Sequence, residues 1–297
     1  MNLPKKRCGS ADAPSFCSSD CNVSGKRHPC FDDAAFCTHG RIHLPVAPVC
    51  NVQCIYCLRR FDCVNESRPG VCSRVLPPKE AAERAAVYLR EHPETAVVGF
   101  AGPGDPLANE ETFETMELIG KTDLQPILCL STNGLYLPES LTRLRSLGVS
   151  FLTVTINSLL PETAEKLYAW VNDHGTMLHG REAAELLLER QREGVRKAVE
   201  LGFTVKINTV LLDGINTEQV PGMAEAFSAW GVHRMNINSV INVTGDSFIR
   251  PVPGEKVRRL KAEAARFVPQ MRACAQCRAD AAGIPGTSRG REQADQI

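Results

Sequence analysis

The chain has 297 residues, 43% hydrophobic and 23% charged, which is enough apolar material for one large domain or two small ones. Its 34 basic and 34 acidic side chains cancel, which argues against a nucleic-acid partner or a polybasic membrane patch. No apolar run nears the ~20 residues of a membrane span, and Lys5, Lys6 and Arg7 lead into no apolar stretch, so the expected setting is cytoplasmic.

Residues 1–40 are rich in Cys, Ser, Asp and Pro, show no period, and are expected to form an irregular extension. From about Arg41 strands and helices alternate. Residues 42–49 are a short apolar run broken by Pro45 and Pro48. Pro77 and Pro78 open a helix over 79–91, which Pro93 stops. A strand over 96–101 runs into the turn Gly102-Pro103-Gly104-Asp105. A helix over 110–119, a strand over 126–131 ending at Asn133-Gly134, and a helix over 138–147 ended by Gly148 follow. Residues 149–156 alternate as a strand, and 181–201 carry the longest helical pattern. Segments 203–212, 218–230, 232–241 and 255–267 continue the series.

About six strand–helix units imply a parallel sheet with helices outside, wound with right-handed crossovers. Six are too few for a closed eight-fold barrel, so the expected fold is α/β, a partial, open (β/α)6 TIM-like barrel with its chemistry at the C-terminal strand ends. The expected organisation is an irregular extension over 1–40, the barrel over 41–268, and a C-terminal segment with a disordered tail over 269–297. The two extensions are expected to cover the barrel mouth.

Cysteine is the compositional outlier, with 13 in the chain. An odd number without an export signal argues for metal or cluster ligation over a disulfide scaffold. Cys50, Cys54 and Cys57, spaced by three residues and then two, follow the first predicted strand. Three thiolates on one loop can hold three irons of a 4Fe–4S cube and leave the fourth iron open to a reactant. That reactant would be S-adenosylmethionine, cleaved by an electron from the cluster to give a deoxyadenosyl radical. Zinc, or an electron-carrying cluster with a distant fourth cysteine, is the plainer alternative, but zinc sites usually pair two C-x2-C units. The Cys-x3-Cys-x2-Cys spacing at this place in a barrel-like pattern resembles the radical S-adenosylmethionine (SAM) enzymes. In those enzymes a glycine-rich turn after the second strand receives the substrate's ammonium. Gly102, Gly104 and Asp105 occupy that place here, with Asp where Glu is usual. Tyr56 would stack near the adenine. Asn133 and Asn157, at the ends of the next two strands, could bind ribose or carboxylate, or serve only as turn residues.

The run from Cys63 to Val71, with Glu66, Ser67 and Arg68, resembles the NifB family of nitrogenase cofactor biosynthesis proteins. Further matches are His28-Pro29-Cys30, Arg41-Ile42-His43, Cys129 with Asn133-Gly134, and Cys274-x2-Cys277-Arg278-Ala279-Asp280. The resemblance spans about residues 28–283. It implies two further 4Fe–4S clusters, one held by Cys30, His43 and Cys129, the other by Cys63, Cys274 and Cys277. It also implies that a methyl from one SAM reaches a cluster sulfide, and that a radical from a second SAM activates it. The carbon then becomes the carbide of a fused eight-iron core, the precursor of the nitrogenase cofactor. Glu66, Ser67 and Arg68 would lie beside the clusters and SAM, with the Arg68 fork suited to its carboxylate. Implied partners are iron–sulfur cluster donors and nitrogenase cofactor scaffold or carrier proteins. Many bacterial relatives carry a C-terminal carrier-like domain. The chain ends soon after Asp280, so a standalone catalytic core is expected.

Cys8, Cys17, Cys21, Cys37 and Cys72 fall on none of these ligand positions, although Cys37 lies near Cys30 and His39 near His43. Taken alone, Cys129 would read as a small buried hydrophobe and His43 as an ordinary core or surface histidine. Two other functions fit parts of the pattern. One is a radical SAM enzyme with auxiliary clusters acting on a peptide or small molecule. The other is a cluster carrier or electron-transfer protein without catalysis.

Overall fold

A computed structural model describes residues 27–65, 70, 72, 74–272, 274 and 277–285. The chain enters through β1 (Gly40–His43) and β2 (Val52–Cys54), then α1 (Pro78–Glu91) and β3 (Thr95–Phe100). There follow α2 (Glu110–Gly120), β4 (Ile127–Thr132), α3 (Leu137–Ser146) and β5 (Val149–Thr155). A short α4 (Pro161–Ala164) leads to the hairpin β6 (Tyr168–Asp173) and β7 (Thr176–Leu178). The series ends with α5 (Gly180–Glu200), β8 (Thr204–Leu211), α6 (Val220–Ala229), β9 (Arg234–Ser239), α7 (Gly254–Ala264) and β10 (Ala282–Gly283).

The main sheet has the order β10-β1-β3-β4-β5-β8-β9. Every pairing from β1 to β9 is parallel, and only β10 runs antiparallel, against β1. Six parallel strands with helical crossovers make the expected partial barrel of the α/β class. The helix starts obey local chemistry: proline stands in the first turn of α1, α3, α4 and α6, where its missing N–H leaves no bond unmade.

Strand alternation separates two faces. Leu128, Leu130, Val205 and Ile207 join the hydrophobic layer under the helices. Each such side chain, fully buried, contributes ~1.5–3 kcal/mol. The residues between them, Cys129, Ser131, Lys206 and Asn208, line a cavity on the opposite face. Parallel register sets Ser131, Thr153, Lys206 and Arg234 in one row across β4, β5, β8 and β9.

Two expectations need correction. The first predicted strand, 42–49, is regular only to His43, and residues 44–49 run irregularly between Pro45 and Pro48 apart from one bridge, Ala47 to Pro103. The alternation also hid a second sheet, β2-β6-β7, whose β2 carries Cys54 paired with Tyr168. No helix among the described residues is long and apolar enough to cross a membrane.

Candidate functional site

The three thiols lie on and beside β2, in a segment braced from within. Gln53 Nε2 donates to the carbonyls of Cys54 (3.0 Å) and Cys57 (2.8 Å), and Arg59 Nε donates to Gln53 Oε1 (3.0 Å). Cys57 N–H closes a turn onto Cys54 O at 3.1 Å. Asn65 Nδ2 and Asn133 Nδ2 approach Cys54 Sγ (3.6 Å) and Cys50 Sγ (3.7 Å) as weak donors. All three cysteines are free, and with Cys63 and Asp105 they line one pocket.

The turn after β3 forms the opposite wall. Gly104 N–H donates to Ala47 O (2.5 Å) and Asp105 N–H to Val49 O (2.9 Å), so the turn lies flat on the segment that leads into Cys50. A Cβ on Gly104 would stand 2.2 Å from Val49 O, so only glycine allows this approach. Gly102 takes φ +137°, a conformation that side chains rarely adopt.

Three of the residues expected to contact the cofactor make structural ties. Asp105 is buried, and its carboxylate accepts from Leu107 N–H (3.0 Å), Thr132 Oγ1 (3.0 Å) and Asn133 N–H (2.6 Å). It therefore clamps the β3 end to the β4 end. Tyr56 is wholly buried, with its hydroxyl donating to Asn65 Oδ1 (2.7 Å) and accepting from Asn157 Nδ2 (2.6 Å). Asn157 is equally buried, and its Oδ1 accepts from Val210 N–H at 2.8 Å. Asn133 does face the pocket, held by its bond to Asn51 Oδ1 (2.7 Å).

A larger cavity adjoins the first, and Asn65 and Ser131 line both. Cys30, His43, Cys129, Cys274 and Cys277 all line it. They come from the segment before β1, from β1 and β4, and from the stretch before β10, so only the fold unites them. Cys63 stands in the triplet's pocket and not in this lining. Glu66, Ser67 and Arg68 lie outside the described residues. Cys8, Cys17 and Cys21 do too, while Cys72 is buried with its N–H on Asp62 Oδ1 (3.1 Å).

His43 shows how strictly this cavity is built. Its Nδ1 bonds the Arg278 carbonyl at 3.1 Å, which fixes the proton there and leaves the lone pair on Nε2. Burial, then Arg41, pushes the ring down to about 3, so it stays neutral. Its register partner is Gly99, where a Cβ would stand 2.8 Å from His43 Cδ2. Arg41 donates to Cys277 Sγ (2.8 Å) and to the Gly283 carbonyl. Sequence reasoning missed Asn65, Lys206 and Asn208. The signal for the last two was present, because both alternate with the buried Val205 and Ile207.

Among the described residues no three His, Cys, Asp or Glu side chains converge on one ion. A four-iron cube needs its thiolates spread, one per corner, and the free, inward-facing thiols of the triplet fit that demand. Without iron they are neutral. Burial and then Cys57 push Cys54 up to about 12, and burial pushes Cys30 up to about 11, both from 9.0. A raised folded pKa fixes the sign. The metal-free protein should keep its full stability below pH 9 and lose it as pH climbs towards 12, because the unfolded thiols ionise first. Chemical denaturation at a series of alkaline pH values measures this.

This half-barrel, with three thiols at its mouth, defines a class. The Radical SAM superfamily model matches residues 44–227, and the chain belongs to that superfamily. The solved structure of anSMEcpe with bound AdoMet and Kp18Cys peptide has the same fold (TM-score 0.50, 17% identity, 75% of this chain and 58% of that one). Within the superfamily the chain belongs to the NifB family. It is 42% identical to the FeMo cofactor biosynthesis protein NifB of Methanocaldococcus infernus over 87% of this chain and 86% of that protein. It is 45% identical to the NifB of Chlorobaculum tepidum over 88% of this chain, but spans only 62% of that longer relative.

Proposed function

We propose that this chain is a radical SAM enzyme of nitrogenase cofactor biosynthesis. In this reading it methylates and fuses two 4Fe–4S substrate clusters into an eight-iron core with a SAM-derived carbide. The observation that carries it is the cavity beside the triplet, whose lining brings together Cys30, His43, Cys129, Cys274 and Cys277.

Cys50, Cys54 and Cys57 would hold the resident cluster, which with bound SAM supplies the electron and the deoxyadenosyl radical. Around it, the Gly102–Asp105 turn and Asn133 shape the SAM end of the pocket, while Asp105 keeps that turn in register with β4. Asn65 stands where the two spaces meet, so a radical formed over the triplet has a short way to the larger cavity. The substrate clusters fall to Cys30, His43 and Cys129, and to Cys63, Cys274 and Cys277. Cys63, on the triplet side, would mark where the second cluster faces the radical. Glu66, Ser67 and Arg68 are assigned to the same junction, and cluster donors and a scaffold or carrier to the steps before and after. The setting would be cytoplasmic.

The test is anaerobic. Protein reconstituted with iron and sulfide receives dithionite and SAM, and the nucleoside products are separated. Both S-adenosylhomocysteine and 5′-deoxyadenosine are expected, because the reading needs methyl transfer and radical chemistry on one chain. Deoxyadenosine alone would replace it with a radical enzyme acting on a peptide or small molecule. Neither product, from fully loaded protein, would leave a cluster carrier.

A further inference from the structure

Lys206 is a buried lysine with no carboxylate beside it among the described residues. It lies on β8, is 8% exposed, and lines the larger cavity. Among the described residues it makes no ion pair or hydrogen bond, and its Nζ stands 5.0 Å from the centroid of the Phe31 ring. Its register neighbours are Thr153 and Arg234, and Arg234 is already held by Asp33 at 2.6 Å. No Asp or Glu is among the described residues lining the cavity. A buried charge without a partner is costly and is normally paired or discharged, and one aromatic face offsets little of that cost.

Two further groups share this polarity. Arg41, 1% exposed, also lines the cavity. His28 is 4% exposed, and its Nδ1 accepts from Cys30 N–H at 3.1 Å, which puts the neutral ring's proton on Nε2. That Nε2 is buried and has no partner among the described residues. Among the described residues, the cavity therefore offers two cations and an N–H donor to whatever enters, and no carboxylate. Thiolate-ligated iron–sulfur clusters are anions, and their sulfides accept hydrogen bonds.

We propose that Lys206 is the fixed countercharge for an anionic iron–sulfur substrate in the larger cavity, with His28 Nε2 donating to it on the Cys30 side. Lys206 is thus a positioning residue, holding the substrate electrostatically without ligating it. This rests on reading the cavity as the substrate chamber.

The test uses the full chain with Cys50, Cys54 and Cys57 replaced by alanine, so that bound iron reports the cavity alone. Lys206→Met and Lys206→Arg are compared with this parent after anaerobic reconstitution. In Lys206→Met, iron loss to a chelator should quicken on the order of tenfold, and the midpoint potential of the bound cluster should move negative. Lys206→Arg should restore both. The empty Lys206→Met protein should melt no lower than the parent, because an uncompensated charge has gone; a purely structural lysine would give the reverse. Parent and Lys206→Met proteins that match in iron retention and potential would overturn the proposal while leaving the chamber reading intact. A parent that takes up no cavity iron would remove the chamber reading and this proposal together.

Discussion

Cys54→Ala is expected to bring deoxyadenosine formation down to the level of a control without enzyme, while iron in the larger cavity survives. Cys54 is one of the three corner ligands proposed for the resident cluster, and no fourth cysteine lies near enough in sequence to replace it without moving the loop. Cys63 is the only other cysteine in that pocket among the described residues, and it lies beyond the turn at 58–62. The fold itself should tolerate the change. Cys54 is 7% exposed, and removing one small buried sulfur costs about 1 kcal/mol. Product chromatography, iron analysis and a melting curve on the same sample separate lost chemistry from lost structure. Deoxyadenosine at the parental rate would sink the assignment of the triplet.

The second large effect comes from a residue with no side chain. Gly104→Ala forces a Cβ to within 2.2 Å of Val49 O and 2.9 Å of Ala47 O, and both obstacles are backbone. The turn must lift away and break the two bonds from Gly104 N–H and Asp105 N–H that hold it on residues 47–49. Two hydrogen bonds at ~1 kcal/mol each, with overpacking of ~1–3 kcal/mol, put the loss at about 3–5 kcal/mol. Because Val49 precedes Cys50, the same shift displaces the first thiol, and loading of the triplet should fall with stability. Denaturant midpoints and iron content measure the two losses. Gly120→Ala is the matched control: nothing lies within 4 Å of its added Cβ and it sits in α2, so stability should hold or rise slightly.

The alternation of apolar runs and turn residues carried the barrel, because the parallel strands are largely buried and proline opens the crossover helices α1, α3 and α6. β2, β6, β7 and β10 escaped notice because three of them are two or three residues long, too short for a period, and β6 has an exposed Ala169 and a half-buried Trp170 at its centre. The triplet was legible from spacing alone, since its chemistry is local. The larger cavity was not. Cys30, His43, Cys129 and Cys277 were gathered only by resemblance, and Lys206 was hidden because a lysine among apolar residues reads as a solvated edge. Tyr56, Asp105 and Asn157, read from the sequence as cofactor contacts, also brace the loops and strand ends around the pocket.

The edge strand β1 joins parts of the chain made far apart in time. Its inner neighbour β3 follows within about fifty residues, but its outer neighbour β10 brings Gly283 to Arg41 across 242 positions. The outer pairing has only two residues of register, so it returns few hydrogen bonds for a long closure. Everything that Arg41 fixes there, including the Cys277 thiol, waits on that late seam. A ribosome could thus release a finished barrel, with its triplet loop shaped, before the second group of thiols had a wall to belong to. Synthesis itself thereby orders the two spaces, the triplet's pocket first and the larger cavity last.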